Sequence, residues 1–288
     1  MNSVTRKQLS QRIAFSLFTL ISLVVVGILF VILGFIVVRG IGVVNWEFLT
    51  GMPEEGMTQG GILPAIVGTG CLMLGSMIFA FPIGVLSGIY MNEYLKDNWL
   101  RRLIVFMTDN LSGVPSIVFG LFGMALFVNF LGFGDSILAG SMTLGLLTLP
   151  VVIRTTEEAM KSVDDSLRSA SLALGATKLQ TIRKVILPVA FPNIITGLIL
   201  SIGRVSGETA PILFTAAAYF LPQLPHSVFD QVMALPYHLY VLATSGTNME
   251  ESRPMAYGTA FVLIVIVLLV NLLANLLRRK LGKRVKMN

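Results

Sequence analysis

Two opposite charges, Arg204 and Glu208, stand four residues apart inside an otherwise apolar stretch of this 288-residue chain. On a helix that spacing puts both on one face. A lone charge at the centre of a membrane helix costs about 2.5–3.5 kcal/mol on insertion scales, and pairing lowers the cost without usually reversing it. A retained pair therefore points to use. The Arg204 guanidinium can offer an anion a weak, transient contact. Glu208 would hold it in place and keep the anion from binding too tightly, because a conduit must release its ion. The structural alternative is an ion pair that joins helices. Arg154, at the polar end of a neighbouring apolar run, either attracts a departing anion or simply reaches for the membrane boundary. Asp109 is the third charge inside an apolar run and is expected to cap a kinked helix.

The residues around the pair describe a helix that packs closely and bends. Gly203 and Gly207 would let a second helix approach. Pro211 removes the donor to the Gly207 carbonyl and should bend the chain there. In the apolar run over 103–131, Asp109–Pro115 predicts a break at Pro115, with backbone groups that protein or water must cover.

Composition says what holds these residues. The chain is 55% hydrophobic and 12% charged, against about 25% charged for soluble domains. Apolar runs near 20 residues, continuous rather than alternating, predict membrane helices. Six spans are expected, at 16–38, 62–90, 103–131, 137–153, 192–218 and 257–277. Pro64 and Pro82 should bend the second. The apolar core of the first is too long for a cleaved signal peptide, and no small-residue cleavage site follows it. The 62–277 region then forms a core behind a 1–15 tail and a first helix. A basic tail, 278–288, closes the chain.

Orientation follows from lysine and arginine. All but three of the 21 basic residues fall in the 1–15 tail, the 91–102 loop, the 154–187 segment or the 278–288 tail. The opposite side has only Arg39 and Arg253, and Arg204 lies within a span. Both termini and the 154–187 segment are expected in the cytoplasm. Clustering of basic residues at span ends argues against nucleic acid.

The 154–187 segment carries ten charges, six basic and four acidic. Ser162 with Asp165 reads as a capping box. Val163, Leu167, Ala170 and Leu174 then give an apolar stripe, and Gly175 suits a left-handed helix end. Thr177 with Gln180 is a second capping box, followed by Leu179, Ile182, Val185 and Ile186. Pro188 should stop this helix, and Pro192 should lie in the first turn of the next span. The expectation is a cytoplasmic helix–glycine turn–helix hairpin over 162–187 that docks on a partner; an amphipathic hairpin on the lipid surface is the alternative.

This hairpin resembles the cytoplasmic loop of bacterial ATP-binding-cassette importer permeases, E-A-A-x3-G-x9-I-x-L-P. Here the pattern falls on Ser169, Ala170, Ser171, Gly175, Val185, Leu187 and Pro188. Ser169 replaces the glutamate and Ser171 the second alanine. Two further strings, Gly113–Gly123 (GVPSIVFGLFG) and Gly207–Thr215 (GETAPILFT), are similar to the A-subunit permeases of inorganic-phosphate importers. The resemblance implies an all-α membrane fold of six helices with a coupling hairpin, in a bacterial inner membrane. It implies a second, homologous permease, two ATPase subunits that bind ATP and Mg, and an extracytoplasmic phosphate-binding protein. Another oxyanion, molybdate or sulfate, is the alternative cargo.

The chain's own residues fit a non-catalytic role. No G-x-x-x-x-G-K-[ST] phosphate loop occurs; Gly70 and Gly75 have the spacing, but Ser76 replaces the lysine. There is no catalytic triad or metal spacing, one cysteine, Cys71, and two histidines, His226 and His238, expected as ordinary loop residues. A stand-alone secondary transporter should show inverted repeats, and none is visible. The 219–256 segment is expected as an outer loop that lies on the surface or dips back in; the resemblance implies that it faces the binding protein, and a solvated rim is the alternative. Its stretch Met233–Ala243 is too short to span, and its acidic end is Glu250 and Glu251.

Overall fold

The computed structural model describes residues 3–95, 98–245 and 249–287. Lys96 lies outside them, as do the side chains of Arg6, Glu251, Lys283, Arg284 and Lys286. The elements in order are α1 (Ser3–Gly40), α2 (Trp46–Thr50), the short antiparallel strands β1 (Pro53–Glu54) and β2 (Gln59–Gly60), and α3 (Leu63–Glu93). There follow α4 (Trp99–Ser112), α5 (Ser116–Gly123) with a π turn over Met124–Phe130, and α6 (Ile137–Lys161). Then come α7 (Asp165–Ala173), α8 (Lys178–Thr181), a second π turn over Ile182–Ile186 and α9 (Leu187–Val205). The chain closes with α10 (Ala210–Leu213), α11 (Leu235–Thr244) and α12 (Met249–Met287).

Among the described residues, five helical stretches are long and apolar enough to cross a membrane: Gln11–Gly40, Leu63–Glu93, Ile137–Lys161, Lys178–Val205 and Ser252–Lys280. The sixth expected span, 103–131, is not one helix. It breaks between α4 and α5 by 102°. α4 leaves Phe106, Met107, Trp99 and Leu103 exposed, while Arg101 and Asp109 reach the polar end of α6. α5 and its π turn together rise about 22 Å, less than the ~30 Å hydrocarbon thickness.

The core is α3 against α6, with α9 packed on α6 and also touching α3. Small residues set this packing. A Cβ on Gly84 would lie 2.6 Å from Val152, and one on Gly88 2.6 Å from Thr156. Gly75 meets Ser141, and Gly197 meets Thr155 in the same way. Without water to drive apolar groups together, close backbone approach supplies the attraction between membrane helices. The glycines singled out from sequence do not serve this purpose. A Cβ on Gly203 would make ordinary contact with Asn271 at 3.7 Å, and Gly207 meets nothing closer than 4.0 Å, its neighbour's Arg204 carbonyl.

Proline misled the reading of α8 and α9. Pro188 does not stop the helix, and Pro192 lies inside α9, not in a first turn. A proline cannot accept the ordinary α pattern, since it lacks the N–H and crowds the carbonyl four residues back. The π turn just before it, closed by Leu187 N–H to the Ile182 carbonyl, widens the helix so that it continues. Lys178–Val205 is one run. The fourth span likewise passes its expected end at 153 and reaches Lys161. Pro82 is accommodated within the continuous α3, and Pro64 lies in its first turn.

The 219–256 loop is not wholly peripheral. α11 packs into a core with Phe48, Met57, Ile62, Met255 and Val262, and His238 is buried, contrary to the loop reading. Burial pushes the His238 imidazole down to about 4. Asp230 closes the preceding turn by accepting the His226 and Ser227 backbone N–H groups at 2.8 Å each, which holds its carboxyl below the ordinary value.

Candidate translocation and coupling sites

α9 ends at Val205, well before the expected 218, and the chain unwinds through Ser206–Thr209. Val205 packs with Leu72, Leu144 and Ile212, so the break sits beside the first third of α3 and of α6. Arg204 is therefore on the last turn of α9, and Glu208 is in the break rather than on the same helix. They still meet: Arg204 Nε donates to Glu208 Oε1 at 3.4 Å. The side chains are 35% and 17% exposed. This is one long contact, and the Arg204 Nη groups have no hydrogen-bond partner among the described residues. Pro211 opens α10 instead of bending α9. An unwound segment at membrane depth needs protein or water to cover it, and broken helices recur where solutes bind in transporters.

α5 covers one side of this break. A Cβ on Gly120 would lie 2.8 Å from the Ala210 carbonyl and 3.1 Å from Pro211, so the strings Gly113–Gly123 and Gly207–Thr215 pack on each other. Pro115 stands at the N-cap of α5, where the sequence placed the break.

The second polar centre was missed from sequence. Glu157 is 1% exposed and accepts from Arg101 Nη2 at 2.9 Å, Arg154 Nη1 at 3.1 Å and Lys161 Nζ at 2.8 Å. Arg154 also donates through Nε to Asp109 Oδ1 at 2.9 Å, and through Nη2 to the same oxygen. Asp109 thus pairs with Arg154 and caps no helix; α5 has no side-chain cap. The Arg154 charge is divided between two carboxylates, unlike that of Arg204. Three cations around one buried carboxylate tie α4 to the end of α6. The spacing Arg154-x-x-Glu157-x-x-x-Lys161 was the available signal, since residues three and four apart share a helix face.

The hairpin is present with altered edges. Ser162 belongs to the end of α6, where its Oγ donates to the Ala159 carbonyl at 2.8 Å. Asp164, not Ser162, caps α7 and accepts the Ser166 N–H at 2.8 Å, which holds its carboxyl below the ordinary value. Gly175 has φ +83, the left-handed conformation expected of it. Thr177 and Gln180 form a capping box. Ser171 Oγ and Thr181 Oγ1 lie 2.9 Å apart and bridge the two arms, while Ser169 Oγ donates to the Asp165 carbonyl at 3.1 Å. Ala170 and Pro188 are exposed, and Leu187 is half-buried.

The apolar stripe divides. Val163, Ile182 and Ile186 are buried with Phe81, Val85 and Ile89 of α3. No residue of α7 is buried, and Leu174 and Leu179 are 90% and 65% exposed. The polar face fastens the hairpin to the end of α3. Arg168 Nη2 donates to Glu93 at 3.0 Å and to the Met160 carbonyl at 2.7 Å, and Nη1 donates to Asp165 and to the Val163 carbonyl at 2.8 Å each. Lys178 donates to the Glu93 carbonyl and lies 4.8 Å over the Tyr94 ring. These contacts join the hairpin to the ends of α3 and α6.

Residues 80–287 match the family model for the binding-protein-dependent transport system inner membrane component. The chain is 32% identical to "Probable ABC transporter permease protein YqgI" of Bacillus subtilis, over 98% of this chain and 99% of that protein. It is 41% identical to "Phosphate transport system permease protein PstA" of Mycobacterium leprae, over 76% of this chain and 70% of that one. A chain of the bacterial alginate ABC transporter, solved with an alginate pentasaccharide-bound periplasmic protein, superposes with TM-score 0.67 at 14% identity, covering 95% of this chain and 98% of that one. The helical fold and these matches lead to one conclusion: the chain belongs to the binding-protein-dependent transport system inner membrane component family, as a permease of an ABC importer.

Proposed function

We propose that this chain is one of two permease subunits of an ATP-driven inorganic phosphate importer. The observation that carries the cargo reading is the broken α9. It leaves Arg204, only loosely held by Glu208, beside an unwound stretch of backbone. The similarity to a phosphate transport permease supports the same cargo. A guanidinium with free Nη donors suits a phosphate oxygen, and the nearby Glu208 keeps the contact weak enough for release. Arg154, bound by Asp109 and Glu157, acts in this scheme as a fastening of α4 to α6 at the cytoplasmic mouth.

ATP and Mg are bound by two separate ATPase subunits, and an extracytoplasmic phosphate-binding protein delivers the cargo. Both termini and the hairpin face the cytoplasm. The exposed Leu174 and Leu179 dock on an ATPase, and the Arg168–Glu93 and Lys178–Tyr94 contacts carry its closure to α3. Relative movement of α3, α6 and α9 then exchanges outward and inward access to the break.

Labelled phosphate uptake by vesicles containing the reconstituted assembly tests the cargo. Uptake should require ATP and resist excess sulfate and molybdate, and Arg204→Ala should lower it about tenfold or more. Uptake blocked by sulfate or molybdate, or unchanged by Arg204→Ala in assembled complexes, would refute this reading.

A further inference from the structure

The two arginines left on the other face of the chain, Arg39 and Arg253, come together. Arg39 is in the last turn of α1 and Arg253 is near the start of α12. Both line a recess of about 360 Å³ with Phe35, Glu250, Pro254 and Tyr257. The two helices meet closely here. A Cβ on Gly40 would lie 2.5 Å from the Tyr257 carbonyl and 2.8 Å from Phe261. Phe35 meets Tyr257 edge to face at 5.6 Å, and the Arg39 guanidinium lies 5.6 Å from the Phe35 ring centre. An aromatic face positions a guanidinium without neutralising it.

Among the described residues, no carboxylate lies within ion-pair distance of Arg39 or Arg253. Among the described residues, with Glu250 at the rim, two positive charges and one negative line the recess. The net charge of about one matches a phosphodiester.

An apolar trench continues from the recess. A second cavity of about 330 Å³ shares Arg253 and Tyr257 and runs along Ile36, Leu239, Leu242, Ala256 and Ala260. From Arg253 to Ala260 the helix advances about 10 Å. The trench therefore descends from the charged rim toward the hydrocarbon. Its α1 wall belongs to a span with no buried residue in its most apolar window, so the rest of this chain leaves that wall uncovered.

We propose that this is a glycerophospholipid site, with the phosphodiester between Arg39 and Arg253 and one acyl chain in the trench. Charged rim, aromatic collar and apolar trench follow in the order of headgroup, glycerol and chain. Free phosphate would use the rim alone and leave the trench without an occupant. Placing the site in the extracytoplasmic leaflet rests on the orientation proposed above; the binding itself does not.

Native mass spectrometry of the full chain, purified with whatever subunits accompany it and stripped of lipid, tests the assignment with added phosphatidylglycerol. Diacylglycerol, which lacks the phosphate, should be retained about tenfold less. The double substitution Arg39→Gln with Arg253→Gln should lower phosphatidylglycerol retention by about tenfold. Ala260→Phe, which fills the trench and leaves both arginines, should lower it to a similar extent, and should the double variant fail to fold, Ala260→Phe alone decides. Excess inorganic phosphate should not displace the lipid. Equal retention by wild type and Ala260→Phe, or displacement by inorganic phosphate, would overturn the proposal. So would loss in the arginine variant alone, which would point to a free ion or an acidic partner protein at the rim. None of these readouts involves transport, so failure here leaves the phosphate reading untouched.

Discussion

The Arg168–Glu93 contact should determine how much transport each ATP drives. Arg168 is 19% exposed and Glu93 8%, so the pair is largely withdrawn from solvent. Arg168→Ala removes the ion pair and leaves the Met160 and Val163 carbonyls without their guanidinium donor. Truncating one partner of a buried pair costs about 3–5 kcal/mol. With Arg168 partly exposed, about 2–3 kcal/mol is the better magnitude. The hairpin would not detach completely, because Val163, Ile182 and Ile186 remain packed on α3 and Lys178 remains over Tyr94. Part of the free energy of the tether is thus retained, and uptake per ATP hydrolysed should fall about tenfold. Arg168→Lys should recover only part, since an ammonium keeps the charge but loses the fork that serves Glu93 and two carbonyls. The assay is simultaneous phosphate uptake and ATP hydrolysis in vesicles. A double-mutant cycle with Glu93→Gln should show non-additive losses, because the two groups share one contact. An unchanged ratio of uptake to hydrolysis in Arg168→Ala would refute the reasoning that this clamp passes force to α3.

Three further outcomes follow from the same geometry. Glu157→Gln leaves Arg101, Arg154 and Lys161 facing a neutral amide, and should lower stability in detergent by about 3 kcal/mol, read as an earlier thermal unfolding transition. Gly88→Leu places a side chain where a Cβ alone would be 2.6 Å from Thr156, so folded protein should be nearly lost from membranes, whereas Gly207→Ala, with open space around it, should accumulate normally. His238 has its pKa lowered from 6.5 to about 4 by burial. The unfolded chain therefore takes up a proton first, so stability is full above pH ~6.5 and falls as the pH drops from there toward 4. At pH 5.5 the loss is about 1.4 kcal/mol, and His238→Leu should abolish this part of the pH dependence of thermal unfolding.

Much of the fold could be read from the chain because membrane helices announce themselves by uninterrupted apolar runs. α1, α3 and α12 were visible for that reason, and so were Gly175 and the Thr177–Gln180 box, whose geometry depends on neighbours in sequence. The end of α9 at Val205 was not legible, because apolar sequence continues through Ile212, Leu213 and Phe214 while the backbone unwinds. Pro188 was misjudged because a local rule met a π turn that relieves it. The break at Pro115 was visible, but its 102° was not, since the contacts that hold α4, from Arg101 to Glu157 and from Asp109 to Arg154, are distant in sequence. Glu157 itself was taken for a loop charge; two of its partners are near in sequence, but Arg101 is 56 residues away. The helix-packing glycines escaped for a similar reason: which glycine faces which helix depends on how α3, α6 and α9 rotate against one another.

The central claim is that the hairpin holds a separate ATPase through its exposed leucines, and cross-linking from Leu174 tests it most directly. The chain has one native cysteine, the half-buried Cys71. A cysteine placed at Leu174 in a Cys71→Ala background can therefore carry a short photoreactive cross-linker in the assembled complex. The expected product joins this chain to the nucleotide-hydrolysing subunit, changes in yield when ATP is added, and is absent when the probe is moved to Phe130. A Leu174 probe that labels only lipid, in an assembly that still imports phosphate, would contradict the account.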